Sequence, residues 1–264
     1  MSRKHILNIT STKKRDQMAL LGSTLPTPVA VFNTPAGGAL WLATHRQGSA
    51  SAVTEFSRNK QDIFWKGISE TLRMTTTGSD PLKWRRIVFE LEGGPGALIG
   101  IDPTTYIARQ LDFDNEAPLS GAPTNPFNLQ GLSRYNRPMY PLASTSDEFA
   151  TFVTGFFQGS PNIDYNQYLT AKVDRRIKVR SDVTRSIQSG NDSGVIKVFK
   201  TYLPINKTMR YADAESGSLI SYDGFAAFDS PQNDIYVWDY FEGLTGSETV
   251  LNVSGTSVAY WHEK

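Results

Sequence analysis

Short stretches of alternating apolar and polar residues, broken repeatedly by Gly, Pro, Asn, Asp and Ser, run along most of this chain. Alternation of period two marks strands with one buried face, and many short ones between turns predict an all-β sandwich or barrel. Gln61–Thr77 is the first long run. Phe64, Ile68, Leu72 and Met74 are expected to share its buried face, interrupted by Lys66 and Glu70. Lys83–Leu91 follows the turn Gly78-Ser79-Asp80-Pro81, with Ile87, Phe89 and Leu91 on one side. Tyr168–Val179, Val195–Leu203, Ile235–Phe241, Thr249–Val253 and Thr256–Trp261 complete the set, nearly all rich in β-branched or aromatic residues.

One segment changes period. Phe149, Phe152, Val153, Phe156 and Phe157 recur at helical spacing and form a single apolar stripe. Thr145 with Glu148 makes a capping box ahead of it, and Gly159 and Pro161 stop it. The spacing predicts one short helix, packed on the sandwich or lying at a subunit contact. Between Gly93 and Leu142 the pattern fades into a Gly- and Pro-rich stretch containing Gly93-Gly94-Pro95-Gly96 and Asn125-Pro126. Long connections of this kind in a compact domain are expected to be functional or partner-binding loops.

Composition narrows the class. Aromatics at 11% and charged residues at 20% argue for a globular body and against disorder. With 264 residues and no internal repeat, one large sandwich accounts for the chain. Cysteine is absent, which excludes disulfides, thiolate metal sites and cysteine nucleophiles. No apolar run reaches the roughly 18 residues of a membrane helix, so no membrane partner is expected.

Charge is unevenly placed. The first fifteen residues carry Arg3, Lys4, Lys13, Lys14 and Arg15 and no acid, whereas the rest hold 22 basic and 26 acidic side chains. A cationic segment on a near-neutral body is suited to polyanions. Residues 1–22 are therefore expected as a basic N-terminal segment, strand-like in part, ahead of a domain spanning 23–264. A second basic group lies at Arg175, Arg176, Lys178 and Arg180, where strand alternation sets Arg176, Lys178 and Arg180 on the face opposite Val173, Ile177 and Val179. Such a ladder is either a solvated strand face or a phosphate-binding surface, which positions nucleic acid without reading sequence. Lys83-Trp84-Arg85-Arg86 places cations beside an indole able to stack on a base, or else beside a core tryptophan.

Catalytic and metal-binding patterns are weak. His5, His45 and His262 have no ligand spacing, and no HExxH or Walker A motif occurs. Asp112, Asp114 and Glu116 alternate acids but lack the glycine of a calcium loop, so no metal or other cofactor is expected. Asp239 and Glu242 are the pair that a carbohydrate-active jelly roll would use.

Several ordered blocks are similar to one family. They are Lys4-His5-Ile6-Leu7-Asn8-Ile9-Thr10-Ser11-Thr12-Lys13-Lys14-Arg15-Asp16, Phe64-Trp65-Lys66-Gly67-Ile68-Ser69-Glu70, Trp84-Arg85-Arg86-Ile87 and Ala171-Lys172-Val173-Asp174. Ile187-Gln188-Ser189-Gly190-Asn191-Asp192-Ser193-Gly194-Val195 and Leu203-Pro204-Ile205-Asn206-Lys207 follow, then Tyr236-Val237-Trp238-Asp239. Together they resemble the capsid proteins of genomoviruses, gemycircularvirus-like agents with circular single-stranded DNA that are related to geminiviruses. The resemblance implies a single jelly roll of two four-stranded antiparallel sheets with long loops. It implies a non-enzymatic subunit, about sixty copies of which form a small icosahedral shell. It further implies non-sequence-specific packaging of single-stranded DNA, contact with host nuclear import factors, and residence in the virion and the host nucleus.

Five terminal cations in each of about sixty subunits supply about 300 charges, against roughly 800 phosphates in the DNA encoding the chain alone. A longer basic arm, small cations or a second protein is therefore expected to make up the difference. Outside this family, the same pattern fits a jelly-roll carbohydrate-active enzyme or a sugar-binding sandwich presenting Trp and Tyr on its loops.

Overall fold

The computed structural model describes residues 10–21, 29–33, 36–46, 48, 57–91, 137–139, 142–145, 147–216, 219–221 and 224–264. The expectations for Arg3, Lys4, His5, Asp112, Asp114, Glu116 and the Gly93–Gly96 turn lie outside them. Thirteen strands and one helix are assigned among the described residues. They are β1 (Thr12–Leu21), β2 (Val29–Asn33), β3 (Ala36–Leu42), β4 (Asp62–Thr76), β5 (Leu82–Leu91), β6 (Arg137–Pro138), β7 (Leu142–Ala143), helix α1 (Asp147–Phe156), β8 (Lys178–Ile187), β9 (Ile196–Arg210), β10 (Ala214–Ser216), β11 (Leu219–Ser221), β12 (Asp234–Glu242) and β13 (Val250–Glu263).

Two sheets carry the architecture. One runs β6-β1-β13-β4-β9, with β2 also on β13; the other runs β7-β3-β12-β5-β8. β1 and β2 pair with successive halves of β13, residues 256–263 and 250–254, and so fill a single position in the sheet. Setting aside the two-residue β6 and β7, each sheet is four strands wide. Counted in chain order, the eight positions run 1-8-3-6 in one sheet and 2-7-4-5 in the other, the interleaving of a jelly roll. The expected fold is the observed one.

Inside the sandwich, Trp41, Val88 and Val237 of one sheet meet Met18, Ile63, Trp65, Ile68 and Trp261 of the other. α1 forms a third layer: Phe149, Phe152, Val153 and Phe156 cover Leu40, Ile87, Phe89, Trp238 and Tyr240 on the outer face of the second sheet. β12 is consequently buried on both faces over nearly its whole length. The apolar stripe predicted at 149–157 is that covering surface.

Three expectations shift. β4 carries a bulge between Trp65 and Gly67, and the alternation changes phase there. Ile63 and Trp65 point inward before it, and Ile68, Glu70, Leu72 and Met74 after it, so Phe64 faces out at 36% exposure. Gly67 has φ 155°, and a Cβ there would meet the Leu203 carbonyl at 2.5 Å, so the bulge requires glycine. Secondly, Tyr168–Ile177 is not a strand. The Asp174 carboxylate accepts the Arg176 N–H at 2.8 Å and turns the chain, and β8 starts only at Lys178. Thirdly, Thr249–Val253 and Thr256–Trp261 belong to the one continuous strand β13.

Candidate nucleic-acid interface

Alternation splits the Lys13-Lys14-Arg15 triplet. β1 lies along β13, so Lys13 and Arg15 face solvent while Lys14 turns inward. The Lys14 ammonium donates to the Ser57 carbonyl at 2.8 Å and to the Asn59 side-chain oxygen, and pairs with Glu263 at 3.0 Å. Lys14 and Glu263 side chains are each 5% exposed. Lys14 is thus a structural cation. Lys14→Ala is expected to cost about 3 kcal/mol of unfolding free energy by leaving a buried carboxylate short of its partner. Lys13→Ala and Arg15→Ala should each change it by less than about 0.5 kcal/mol. Urea denaturation of the three variants measures the difference.

The register places Lys13 and Arg15 on a larger surface. Reading across β1, β13, β4 and β9, the outward rows of the first sheet are Lys13, His262, Phe64 and Thr208; then Arg15, Tyr260, Gly67 and Pro204; then Gln17, Val258, Ser69 and Tyr202; then Ala19, Thr256, Thr71 and Lys200. Ser254, Arg73 and Val198 follow, and Asn252, Thr75 and Ile196 complete the face beside Val31 of β2. Lys66 sits in the bulge next to the first two rows. Among the described residues the outward rows carry one acid, Asp62, ion-paired with Arg210 at 2.9 Å, and the exposed Asp229 pairs with the same arginine at 2.7 Å. Lys13, Arg15, Lys66, Arg73 and Lys200 make no ion pair there. With rows about 7 Å apart and strands about 4.8 Å apart, these five cations fall into two groups: Arg73 with Lys200 two to three rows on, and Lys13, Arg15 and Lys66 as one cluster around the first two rows. The field of that cluster is felt by His262, whose pKa is lowered by burial and then by Lys13 and Lys66.

The second basic group lies elsewhere and is largely neutralised. Arg176 pairs with Asp174 at 2.9 Å in the turn before β8. Lys178 and Arg180 both bind the buried Glu90 carboxylate, at 2.7 and 2.6 Å. Burial opposes ionisation of Glu90, but these hydrogen bonds outweigh it and lower its pKa. Arg180 also donates to the Pro204 carbonyl of β9 at 3.0 Å, clasping one sheet to the other. Arg175 is exposed. The structure does not bring these four together with Lys13 and Arg15 on one face.

Lys83-Trp84-Arg85-Arg86 is mostly internal. Trp84 is fully buried and donates to Asp239 at 2.8 Å. Arg85 binds Asp182 and the Ala171 carbonyl. Lys83 alone is surface-directed, toward Ser186. All five tryptophans are at most 1% exposed, so none can stack on a base or a sugar. Asp239 and Glu242 stand three residues apart in β12 and therefore face opposite sides of the sheet. Asp239 is buried against Arg86 and Arg137, a geometry unlike that of two carboxylates flanking a glycosidic bond. His45 is buried, and desolvation followed by Arg46 and Arg58 lowers its pKa to about 3.

Reading along the chain misses Lys66, Arg73 and Lys200. Their outward phase in β4 and β9 is a signal once the bulge is known, but their meeting with β1 depends on strand order. No family model and no curated protein matches the chain. Among solved structures, it aligns with VP1 of Trichodysplasia spinulosa-associated polyomavirus in complex with GM1 oligosaccharide, at 8% identity. That alignment covers 96% of this chain and 78% of that one with a TM-score of 0.10, too low to carry any inference. The described residues thus define a jelly-roll sandwich with a helix over one sheet and a cationic, nearly acid-free face on the other.

Proposed function

We propose that this chain is a non-enzymatic capsid subunit of the genomovirus type, which assembles as about sixty copies and packages circular single-stranded DNA. The observation that carries this reading is the outer face of the six-stranded sheet, where five cations meet no free carboxylate among the described residues. A polyanion laid across it displaces counterions and is held without sequence preference. The jelly-roll topology supports the same reading, because it leaves β8 and β9 as long edges, with Val179 and Val183 exposed on β8. Shell formation gives such edges a partner. In this reading the protein resides in the virion and passes through the host nucleus, using import factors that bind its basic segment.

Negative-stain microscopy and light scattering of the purified chain, with and without circular single-stranded DNA, test the proposal. Closed particles of uniform size, promoted by DNA at low salt, are expected. Monomers that stay dispersed with DNA and bind glycans instead would overturn it in favour of a sugar-binding sandwich.

A further inference from the structure

We infer that the corner of this face around the Gly67 bulge is a stacking site for unpaired nucleobases, with Phe64, Tyr202, Tyr260 and His262 as its platform. The inference rests on the nucleic-acid reading of the face and adds the part of the ligand that phosphate contacts do not address.

The site begins with the bulge. Without the extra residue Phe64 would follow the inward phase of Ile68; with it, the ring stands outside at 36% exposure. His262 is its neighbour across the β4–β13 pairing, with ring centroids 6.1 Å apart and planes inclined at 45°. The Lys66 ammonium lies 6.0 Å from the Phe64 ring and is held by the Asn206 side chain at 3.1 Å. Because Gly67 has no Cβ, the Tyr202 phenol lies across its backbone, and its hydroxyl donates to the Lys66 carbonyl at 3.2 Å. Tyr202 is 53% exposed, and Tyr260 stands beside Gly67 in the register.

Two tethered rings and two flanking ones therefore share about two rows of the sheet, an area roughly 7 Å by 10 Å. That area accommodates one or two bases. Lys13 and Arg15 border it on the β1 side and Lys66, held by Asn206 of β9, on the other, so that phosphates on either flank of those bases meet a cation. This combination of π-faces and cations, with the adjacent Asp62 already paired with Arg210, matches unpaired nucleotides, since a duplex keeps its base faces stacked internally and offers only edges and backbone.

Three 12-nucleotide probes distinguish the possibilities when titrated against the unassembled full-length chain by fluorescence anisotropy. They are oligo(dT), an abasic strand of the same length and a duplex. Oligo(dT) is expected to bind about tenfold more tightly than the abasic strand, the gain from a single stacked base. Phe64→Leu with Tyr202→Leu should remove that preference while leaving the salt slope and the duplex affinity unchanged. Tyr202→Phe should retain it. Equal binding of oligo(dT) and abasic strand by the unaltered protein overturns the stacking site but leaves the cationic face intact, and this comparison needs no variant to fold. Failure of all three probes to bind at low salt overturns the nucleic-acid reading itself.

Discussion

Replacing Lys13, Arg15, Lys66, Arg73 and Lys200 together by Gln is expected to flatten the salt dependence of single-stranded DNA binding by about 3.5 log units per decade of salt. Each phosphate neutralised on a single strand contributes about 0.7 to that slope, and the five side chains have no carboxylate to release first. The affinity at 0.1 M salt should accordingly fall by up to about three orders of magnitude. Folding should be almost unaffected, because four of the five side chains are exposed and Lys66 is half-buried. Arg176→Gln with Lys178→Gln is the matched control. Asp174 and Glu90 already hold those cations, so the slope should change by less than about one unit. Anisotropy titrations of labelled oligo(dT) at several salt concentrations read both. A slope that survives the fivefold change would place the DNA elsewhere.

Asp239→Asn should cost about 3–5 kcal/mol of stability, the largest expected effect of a single substitution in this chain. Asp239 accepts hydrogen bonds from Arg86, Arg137 and Trp84, and Glu70 accepts from Arg86, Arg137 and Ser257. The two acids and two arginines come from β12, β4, β5 and β6, so both sheets are pinned through one charge-balanced cluster. Neutralising one acid leaves two guanidinium groups facing a single carboxylate in the interior. Arg137→Gln combined with Asp239→Asn restores the balance and should recover part of the loss.

The pH dependence follows. Burial alone would raise the Asp239 pKa, but Arg86 and Arg137 outweigh it and hold it at about 2, below its ordinary 3.8. The stabilisation is therefore complete above pH 4 and is lost as pH falls toward 2. The Asn variant should lose that contribution and keep the one from Glu70, whose pKa Arg86 and Arg137 also lower against the opposing effect of burial. Neutral burial of His45 adds an earlier loss, beginning near pH 6.5 and extending to about 3, in both proteins. Urea midpoints measured from pH 7 to pH 2 separate these contributions.

Much of the fold was legible because alternation is local. Ile87, Phe89 and Leu91 share a face as their spacing demands, and the stripe from Phe149 to Phe157 packs as a helix face. Lys13 and Arg15 were readable as cations and Lys14 as their equal. Only the β1–β13 register and the approach of Ser57 and Asn59 show Lys14 to be an internal anchor. Phe64 was misplaced because one extra residue in β4 reverses every side chain before it, and Gly67 marks that bulge without announcing it. Arg86 read as a cation beside a tryptophan and Asp239 as half of a carbohydrate-active pair, because nothing near them in the chain reveals the partners that make their burial tolerable.

By itself the amino-acid sequence determined the class of structure, the position of the helix and the presence of a cationic N-terminal strand. These depend on periodicity and composition within short windows. Which cations act together was decided only by the tertiary structure. Lys13, Lys66 and Lys200 lie far apart in the chain and come onto one face through the jelly-roll order, while Arg176, Lys178 and Arg180, close in sequence to Arg175, are claimed by carboxylates. The physical reason is that electrostatic contact depends on distance through space, and in a sandwich of non-local strand pairs that distance is set by topology.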